Sequence, residues 1–282
     1  MTLAPQAFPQ DDPERAARVF AGELVVYRKV PDLDGLRDLA VRRIEAAFEG
    51  HDPLRAHKVV APADYQRRVA ELQGAWRRCP AVREAWRAVF RAVGLDLAGC
   101  FCDSFHLRVL PPRGPHVGRA TPELPAHRDT WSSNLYQQMN WWTPLYPITE
   151  ERGLRVYPAY WDRAIANASA DWDLAVRRGL SPEARKAYPK LPRLLERPEA
   201  EAARPVVIAP GDLLCFSAQH LHGGQPNDSA VARFSLECRS VNLADVQHGR
   251  AAPNSDGAAP RVAWHWFKRF DDGLPLDEAL NS

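Results

Sequence analysis

The sequence predicts one mixed domain, mainly β with α, in which a helical first part leads into a β-sandwich or barrel. Three observations predict it. The chain has 282 residues, 45% hydrophobic and 26% charged, a length and composition suited to one large globular domain. Its first hundred residues carry apolar side chains at helical spacing. From Cys102 onward the period changes to two, and short apolar runs follow one another between Gly, Pro, Asn and Asp turns, the pattern of a sandwich or barrel.

The elements follow in order. After a polar, Pro-containing lead, Gly22–Arg28 is β-branched and aromatic and reads as a strand. In 34–48, Leu36, Leu39, Ile44 and Phe48 lie at near-helical spacing, with Gly50 at the expected stop. Helices are expected again over 63–76 and 81–93, the latter opened by Pro80 and closed by Gly94. Phe105, Leu107 and Val109 alternate with His106 and Arg108 until Pro111, which cannot supply a ladder N–H. Further strands are expected near 124–131, 135–145, 153–158, 205–209, 212–217, 219–225 and 231–242. A charged helical insertion at 160–200 interrupts them, as lids do. The extension 246–282 is Ala, Pro and Gly rich and then aromatic at 264–267, so it should loop out and dock back.

Composition excludes several classes. A chain near this length buries roughly three quarters of its unfolded surface, so a metal would serve chemistry rather than hold the fold. With 37 basic against 35 acidic residues there is no footprint for nucleic acid. Five cysteines without paired C-x-x-C spacing argue against a disulfide framework or a structural zinc site. Neither a secretory leader nor a membrane-length apolar run is evident. A cytoplasmic protein without membrane or nucleic-acid partners is expected.

The strongest chemical signal is Pro125-Ala-His-Arg-Asp-Thr-Trp131. On a strand, His127 and Asp129 would share a face, so an imidazole and a carboxylate could reach one point. Downstream, Pro210-Gly-Asp212 turns into an apolar strand, followed by Gln219-His-Leu-His-Gly-Gly-Gln-Pro-Asn227. Either His220 or His222 could complete a set of two imidazoles and a carboxylate, which leaves coordination positions open as in non-haem Fe(II) oxygenases. Spacing alone leaves the two histidines tied. Eleven residues after His222, Arg233 begins a strand on which Arg233, Ser235, Glu237 and Arg239 share a face. A guanidinium with a neighbouring hydroxyl can clamp a carboxylate. Arg239 is the alternative clamp, with Glu237 pairing to one of the two.

H-x-D, P-G-D, H-G-x-x-P-N and R-x-S in this order resemble the iron(II)/2-oxoglutarate-dependent dioxygenases, specifically the phytanoyl-CoA dioxygenase-like superfamily. The block 127–161, with Arg-Asp-Thr-Trp, Gln-x-Asn-Trp-Trp-x-Pro and Tyr-Pro-x-Tyr-Trp, is similar to a bacterial branch associated with small-metabolite biosynthesis. The resemblance spans about 100–245. It implies a double-stranded β-helix (jelly-roll, cupin-like) with N-terminal helices on one sheet. It also implies Fe(II) on His127, Asp129 and His222, which breaks the tie, and 2-oxoglutarate on Arg233 and Ser235. Gln138 and Asn140, on one face of their strand, could bind cosubstrate or substrate, while Thr130 and Trp131 could shape the pocket. The usual P-G-S-H string is replaced here by Tyr157-Pro-Ala-Tyr-Trp161.

The implied activity converts 2-oxoglutarate and O2 to succinate and CO2 while oxidising a small metabolite, with hydroxylation as the default. Desaturation, cyclisation and epimerisation belong to the same chemistry. Asp129 argues against a halogenase, in which a small residue replaces the carboxylate. The rival reading is a non-oxidative cupin-like metal- or ligand-binding protein or isomerase, against which the R-x-S clamp argues. His127-Arg-Asp129 with Asn134 imitates a kinase catalytic loop, but no Gly-rich loop or D-F-G accompanies it. His106, His116, His248 and His265 are read as structural or exposed.

Overall fold

The computed structural model describes residues 11–281; the first ten positions of the polar lead, and residue 282, lie outside the described residues. Four helices come first: α1 (Asp12–Phe20), α2 (Leu33–Phe48), α3 (Pro62–Arg77) and α4 (Pro80–Ala92), with strand β1 (Val25–Tyr27) between α1 and α2. α2 buries Leu36, Ala40, Ile44 and Phe48, a stripe at four-residue spacing. Proline occupies the first turn of α3 and of α4, where its missing N–H does no harm. Gly94, at φ +73°, turns the chain out of α4 in a left-handed conformation that a side chain would strain.

α1 was not expected. Its polar outer face hides a nine-residue helix capped by the Asp11 side chain that buries Ala16, Val19 and Phe20. Arg15 is buried with them and bonds the Tyr27 hydroxyl at 2.8 Å and the Val93 carbonyl.

The strands that follow are β2 (Cys100–Cys102), β3 (His106–Leu110), β4 (Met139–Pro144), β5 (Leu154–Val156), β6 (Arg204–Val206), β7 (Leu213–Ser217), β8 (His222–Gly224), β9 (Arg233–Asn242) and β10 (Lys268–Arg269). Short helices α5 (Thr130–Ser133), α6 (Leu174–Gly179), α7 (Pro182–Ala187), α8 (Leu243–Gln247) and α9 (Leu276–Ala279) lie among and after them. The larger sheet runs β1-β7-β4-β9-β2-β10, with β3 also on β9, and the smaller runs β6-β5-β8. All pairings are antiparallel. The two sheets make the jelly-roll, and β9 is its spine: β4 lines one edge, while β3 and β2 share the other.

Alternation along β4 assigns the two sides of the larger sheet. Trp141 packs against Phe90 of α4 at a centroid distance of 5.2 Å, in the cluster where the helices cover the sheet. Its neighbour Trp142 joins Leu154, Val156, Val206 and Phe216 between the sheets. Truncating either would cost about 3–5 kcal/mol. The C-terminal extension docks back as expected, burying Phe267 and Leu276 against Phe101 and Val241.

Two expected strands differ. Over 124–131 the chain makes one isolated bridge, His127 to His222, and Asp129 already has helical dihedrals (φ −66°, ψ −29°) as it opens α5. The Asp129 carbonyl, bonded by Ser132 and Ser133, starts a turn that local side-chain hydrogen bonding favours over a ladder. Over 219–225 only β8 is extended, because His220 N–H bonds back to Ser217 O. The insertion holds α6 and α7, neither of which has a buried residue. Strands β2 and β10 were not separately expected. Among the described residues no helix is long and apolar enough to cross a membrane, and all five cysteines are free thiols.

Candidate active site

His127 and His222 face each other across a two-bond bridge, N–H to carbonyl at 2.8 and 3.0 Å. Each ring is oriented by its own backbone: Nδ1 of His127 lies 2.9 Å from Pro125 O, and Nδ1 of His222 lies 2.9 Å from His220 O. A carbonyl can only accept, so Nδ1 carries the proton and Nε2 presents its lone pair, the arrangement in which histidines bind metals. The two Nε2 atoms converge on Asp129, 3.7 Å from Oδ1 and 3.8 Å from Oδ2 respectively. Ligand atoms of the three residues lie within 4.8 Å of one another, and all three residues are buried. The convergence therefore arises from the turn at Asp129 rather than from strand alternation.

Asp129 is held from the larger sheet. Asn140 on β4 donates to Oδ2 at 2.6 Å, and Gln138 donates to Asn140 Oδ1 at 3.1 Å. Arg239 on β9 approaches Oδ1 at 3.6 Å while its Nε bonds Asp103 at 2.5 Å. Burial would raise the Asp129 carboxyl, but the adjoining His127 imidazole and the Arg239 guanidinium hold it well below the usual carboxylate range. Burial, aided by His127, pushes His222 down to about 4. Burial also opposes the charge on His127, yet the adjoining Asp129 carboxylate outweighs it and raises that imidazole, whose proton a metal ion would displace. An ionised carboxylate between inward lone pairs is a fitting donor set for a divalent first-row ion.

The residue between the two ligand candidates anchors their backbone. Arg128 is fully buried, and its guanidinium bonds Asp256 at 3.0 Å, Tyr160 O at 2.6 Å, Arg163 O at 2.9 Å and Gln219 O. Asp256 also accepts from Trp131 Nε1 at 2.7 Å. Thr130 and Trp131 are buried behind the triad, Thr130 bonding Gln219. Neither is among the residues lining the cavity.

The surroundings of the two tied histidines differ. His220 sets its ring nitrogens against Ser217 O at 3.2 Å and Gly22 O at 3.1 Å, beside Trp161. Gly22, at φ +93°, leaves no room for a Cβ, which would meet the Trp161 ring at 2.9 Å. His222→Ala is expected to abolish Fe(II) binding measured by anaerobic calorimetry. His220→Ala should retain it, and the reverse order would transfer the ligand role.

A cavity of about 190 Å³ opens on the triad and is also lined by His106, Arg108, Asn140, Arg233, Glu237 and Arg239. Arg233 is buried, and its Nη1 bonds the backbone carbonyls of Gly153 (2.9 Å) and Arg152 (3.3 Å). Its Nε has no partner, nor has the buried Ser235 Oγ. Burial lowers Arg233 to about 10, the expected effect on a cation without a close carboxylate. Glu237 pairs with neither Arg233 nor Arg239 but with Arg108, at 2.5 Å. Asn140 lines the cavity, whereas Gln138 stands behind it.

Sequence reasoning missed three contributors. His106, read as structural or exposed, lines the cavity with Arg108; its alternation with Phe105 and Leu107 was the available signal. Asp103 and Asp256 lie in irregular segments with no pattern to mark them.

A jelly-roll enclosing two imidazoles and a carboxylate beside an unpaired buried guanidinium defines the class of non-haem iron oxygenases. Residues 32–235 match the family described as phytanoyl-CoA dioxygenase (PhyH). The chain belongs to this family and is a 2-oxoglutarate-dependent dioxygenase, with Fe(II) and 2-oxoglutarate as cofactors; this disposes of the non-oxidative rival. No curated protein sequence matches significantly. Among solved structures, EvdO2 from Micromonospora carbonacea var. aurantiaca is 14% identical at a TM-score of 0.50, over 84% of this chain and 94% of that one. SnoK, a non-haem alpha-ketoglutarate-dependent carbocyclase from nogalamycin biosynthesis, is 15% identical at 0.45, over 90% and 94%. The non-haem monooxygenase ThoJ is 16% identical at 0.44, over 80% and 76%. At 14% identity the likeness to EvdO2 is one of fold.

Proposed function

We propose that this enzyme hydroxylates a small metabolite in biosynthesis, in the cytoplasm, where its five free thiols suit a reducing compartment. His127, Asp129 and His222 would hold Fe(II), and Arg233 with Ser235 would hold the distal carboxylate of 2-oxoglutarate. With both cofactors and O2 bound, the site supplies the oxidising power that turns 2-oxoglutarate into succinate and CO2 and places an oxygen in a substrate C–H bond.

The protein's own groups divide the remaining work. Pro125 O and His220 O fix the tautomer of each imidazole. Asn140, itself oriented by Gln138, occupies one lone pair of Asp129 and aims the carboxylate, so Asn140 and Gln138 act as positioning residues more than as cosubstrate ligands. Trp142, Leu154 and Phe216 keep bulk water from the cavity wall.

The observation that carries this reading is Arg233: a buried cation with no ion pair among the described residues, in the same cavity as the triad. Such a cation is costly unless an anion completes it. Arg239, already committed to Asp103 and Asp129, cannot serve as well.

The test is anaerobic titration of the Fe(II)-loaded protein with 2-oxoglutarate, followed by the charge-transfer absorption that appears when both are bound. Arg233→Gln is expected to raise the required 2-oxoglutarate concentration at least roughly 30-fold, the effect of losing about 2 kcal/mol at a buried charged contact. An unchanged requirement would move the clamp elsewhere. In a screen of small metabolites, succinate release should match a product heavier by one oxygen. A product that has lost two hydrogens, or an isomer of the substrate, would replace hydroxylation.

A further inference from the structure

Four cavity-lining side chains are left over by the triad and the clamp. His106 and Arg108 project from β3, and Glu237 and Arg239 from the adjacent β9, with His106 paired to Glu237 in register. Each keeps polar atoms without a protein partner. Glu237 uses only Oε1, for the Nε and Nη2 atoms of Arg108, leaving Oε2 free to accept. Nη1 of Arg108 and Nη2 of Arg239 are free to donate, and the His106 ring makes no hydrogen bond, its nearest carboxylate oxygen being Asp103 Oδ2 at 4.0 Å. Burial pushes His106 down to about 4, so it is neutral. Burial opposes the charge on Glu237 as well, but Arg108 outweighs it and keeps the carboxylate ionised.

The charges in and directly behind this wall cancel. Arg108 pairs with Glu237 and Arg239 with Asp103 and Asp129, so with the unpaired Arg233 three guanidinium groups balance three carboxylates in number. A divalent ion and a dicarboxylate cosubstrate, added together, cancel as well. A charged substrate group would therefore enter without a counter-charge, at the desolvation cost of a buried ion. Hydroxyl groups both donate and accept, and so match a wall that alternates free acceptors with free donors. The other lining side chains include Leu110, Leu124, Leu154, Leu191 and Phe216, which suit an apolar body. Arg119 and Lys190 flank the lining residues Ala120 and Leu191, but both are exposed to solvent, where screening weakens their pull.

Resting on the dioxygenase reading above, we propose that the wall formed by His106, Arg108, Glu237 and Arg239 is the substrate-recognition subsite. It selects an uncharged, hydroxyl-bearing group carried on an apolar body, and the Arg108–Glu237 pair is its specificity determinant. Glu237 Oε2 accepts a substrate hydroxyl proton in a hydrogen bond, and the free guanidinium N–H groups donate to substrate oxygens.

The test uses full-length protein loaded anaerobically with Fe(II) and 2-oxoglutarate, titrated calorimetrically with hexyl β-D-glucoside, hexyl phosphate and hexylamine as neutral, anionic and cationic probes. The glucoside is expected to bind at least about tenfold more tightly than either charged probe, the ratio that 1.4 kcal/mol gives. Glu237→Gln, which leaves Arg108 unpaired, should shift the preference toward hexyl phosphate by at least about tenfold. The double variant Arg108→Gln/Glu237→Gln restores neutrality and should bring back the preference for the glucoside, which also guards against a single variant that fails to fold. Tighter binding of a charged probe by the wild type, no binding of the glucoside, or a preference unmoved by Glu237→Gln would overturn the assignment. The charge-transfer absorption of the loaded protein is recorded in the same samples. Its absence would overturn the underlying dioxygenase site, whereas its presence with an anionic preference would overturn the substrate class alone.

Discussion

Asp129→Ala is expected to abolish coupled oxidation and Fe(II) binding together. The loss should exceed the roughly 10–100-fold that follows removal of an outer hydrogen-bonding partner of a metal ligand, because the substitution removes a proposed ligand itself. It also leaves the Asn140 amide and the Arg239 guanidinium facing space that their acceptor had filled. The imidazoles, held by Pro125 O and His220 O, should keep their orientation, so the protein should remain folded with two of its three ligands in place. Anaerobic calorimetry with Fe(II), alongside succinate release, measures both effects. Fe(II) affinity and succinate yield equal to those of the wild type would remove Asp129 from the ligand set.

Asp256→Ala should destabilise the protein about as much as truncating a core tryptophan. Arg128 and Asp256 form an ion pair whose side chains are 0% and 4% exposed. Taking one member from such a pair leaves the other buried and uncompensated, which costs about 3–5 kcal/mol. Trp131 Nε1 and the Ile165 N–H would lose the same acceptor. For a chain of this size the melting temperature should fall on the order of 10 °C, read from thermal unfolding of the metal-free protein. Because Arg128 sits between His127 and Asp129 and is also tied to Tyr160 and Arg163, surviving folded protein should bind Fe(II) more weakly. A melting temperature unchanged to within about a degree would mean that the pair contributes no net stability, as exposed pairs often do not.

The site was legible where chemistry is written as local motif. His127, Asp129 and His222 stand in short strings of distinctive residues, and Arg233 and Ser235 stand two apart on β9 and so on one face. The expected reason for the convergence of His127 and Asp129 was nevertheless different, since two-residue spacing describes a strand and the chain makes a helical turn there. Which arginine was free could not be read from β9 alone. Arg239 is neutralised by Asp103, more than a hundred positions away in sequence, and a long-range ion pair leaves no periodic trace. Asp256 is illegible for the same reason, being one carboxylate in an Ala- and Pro-rich stretch. Helices α2, α3 and α4 were legible because their buried stripes are long and their starts and stops are marked by Pro and Gly. α1, with nine residues and a charged outer face, fell below that threshold.

Crystals grown anaerobically with Fe(II) offer the most direct measurement of the central claim, through anomalous difference density collected at the iron absorption edge. A single peak is expected, enclosed by Nε2 of His127, Nε2 of His222 and the carboxylate of Asp129. A peak beside His220, or one bound by the imidazoles while Asp129 turns away to Arg239, would contradict it.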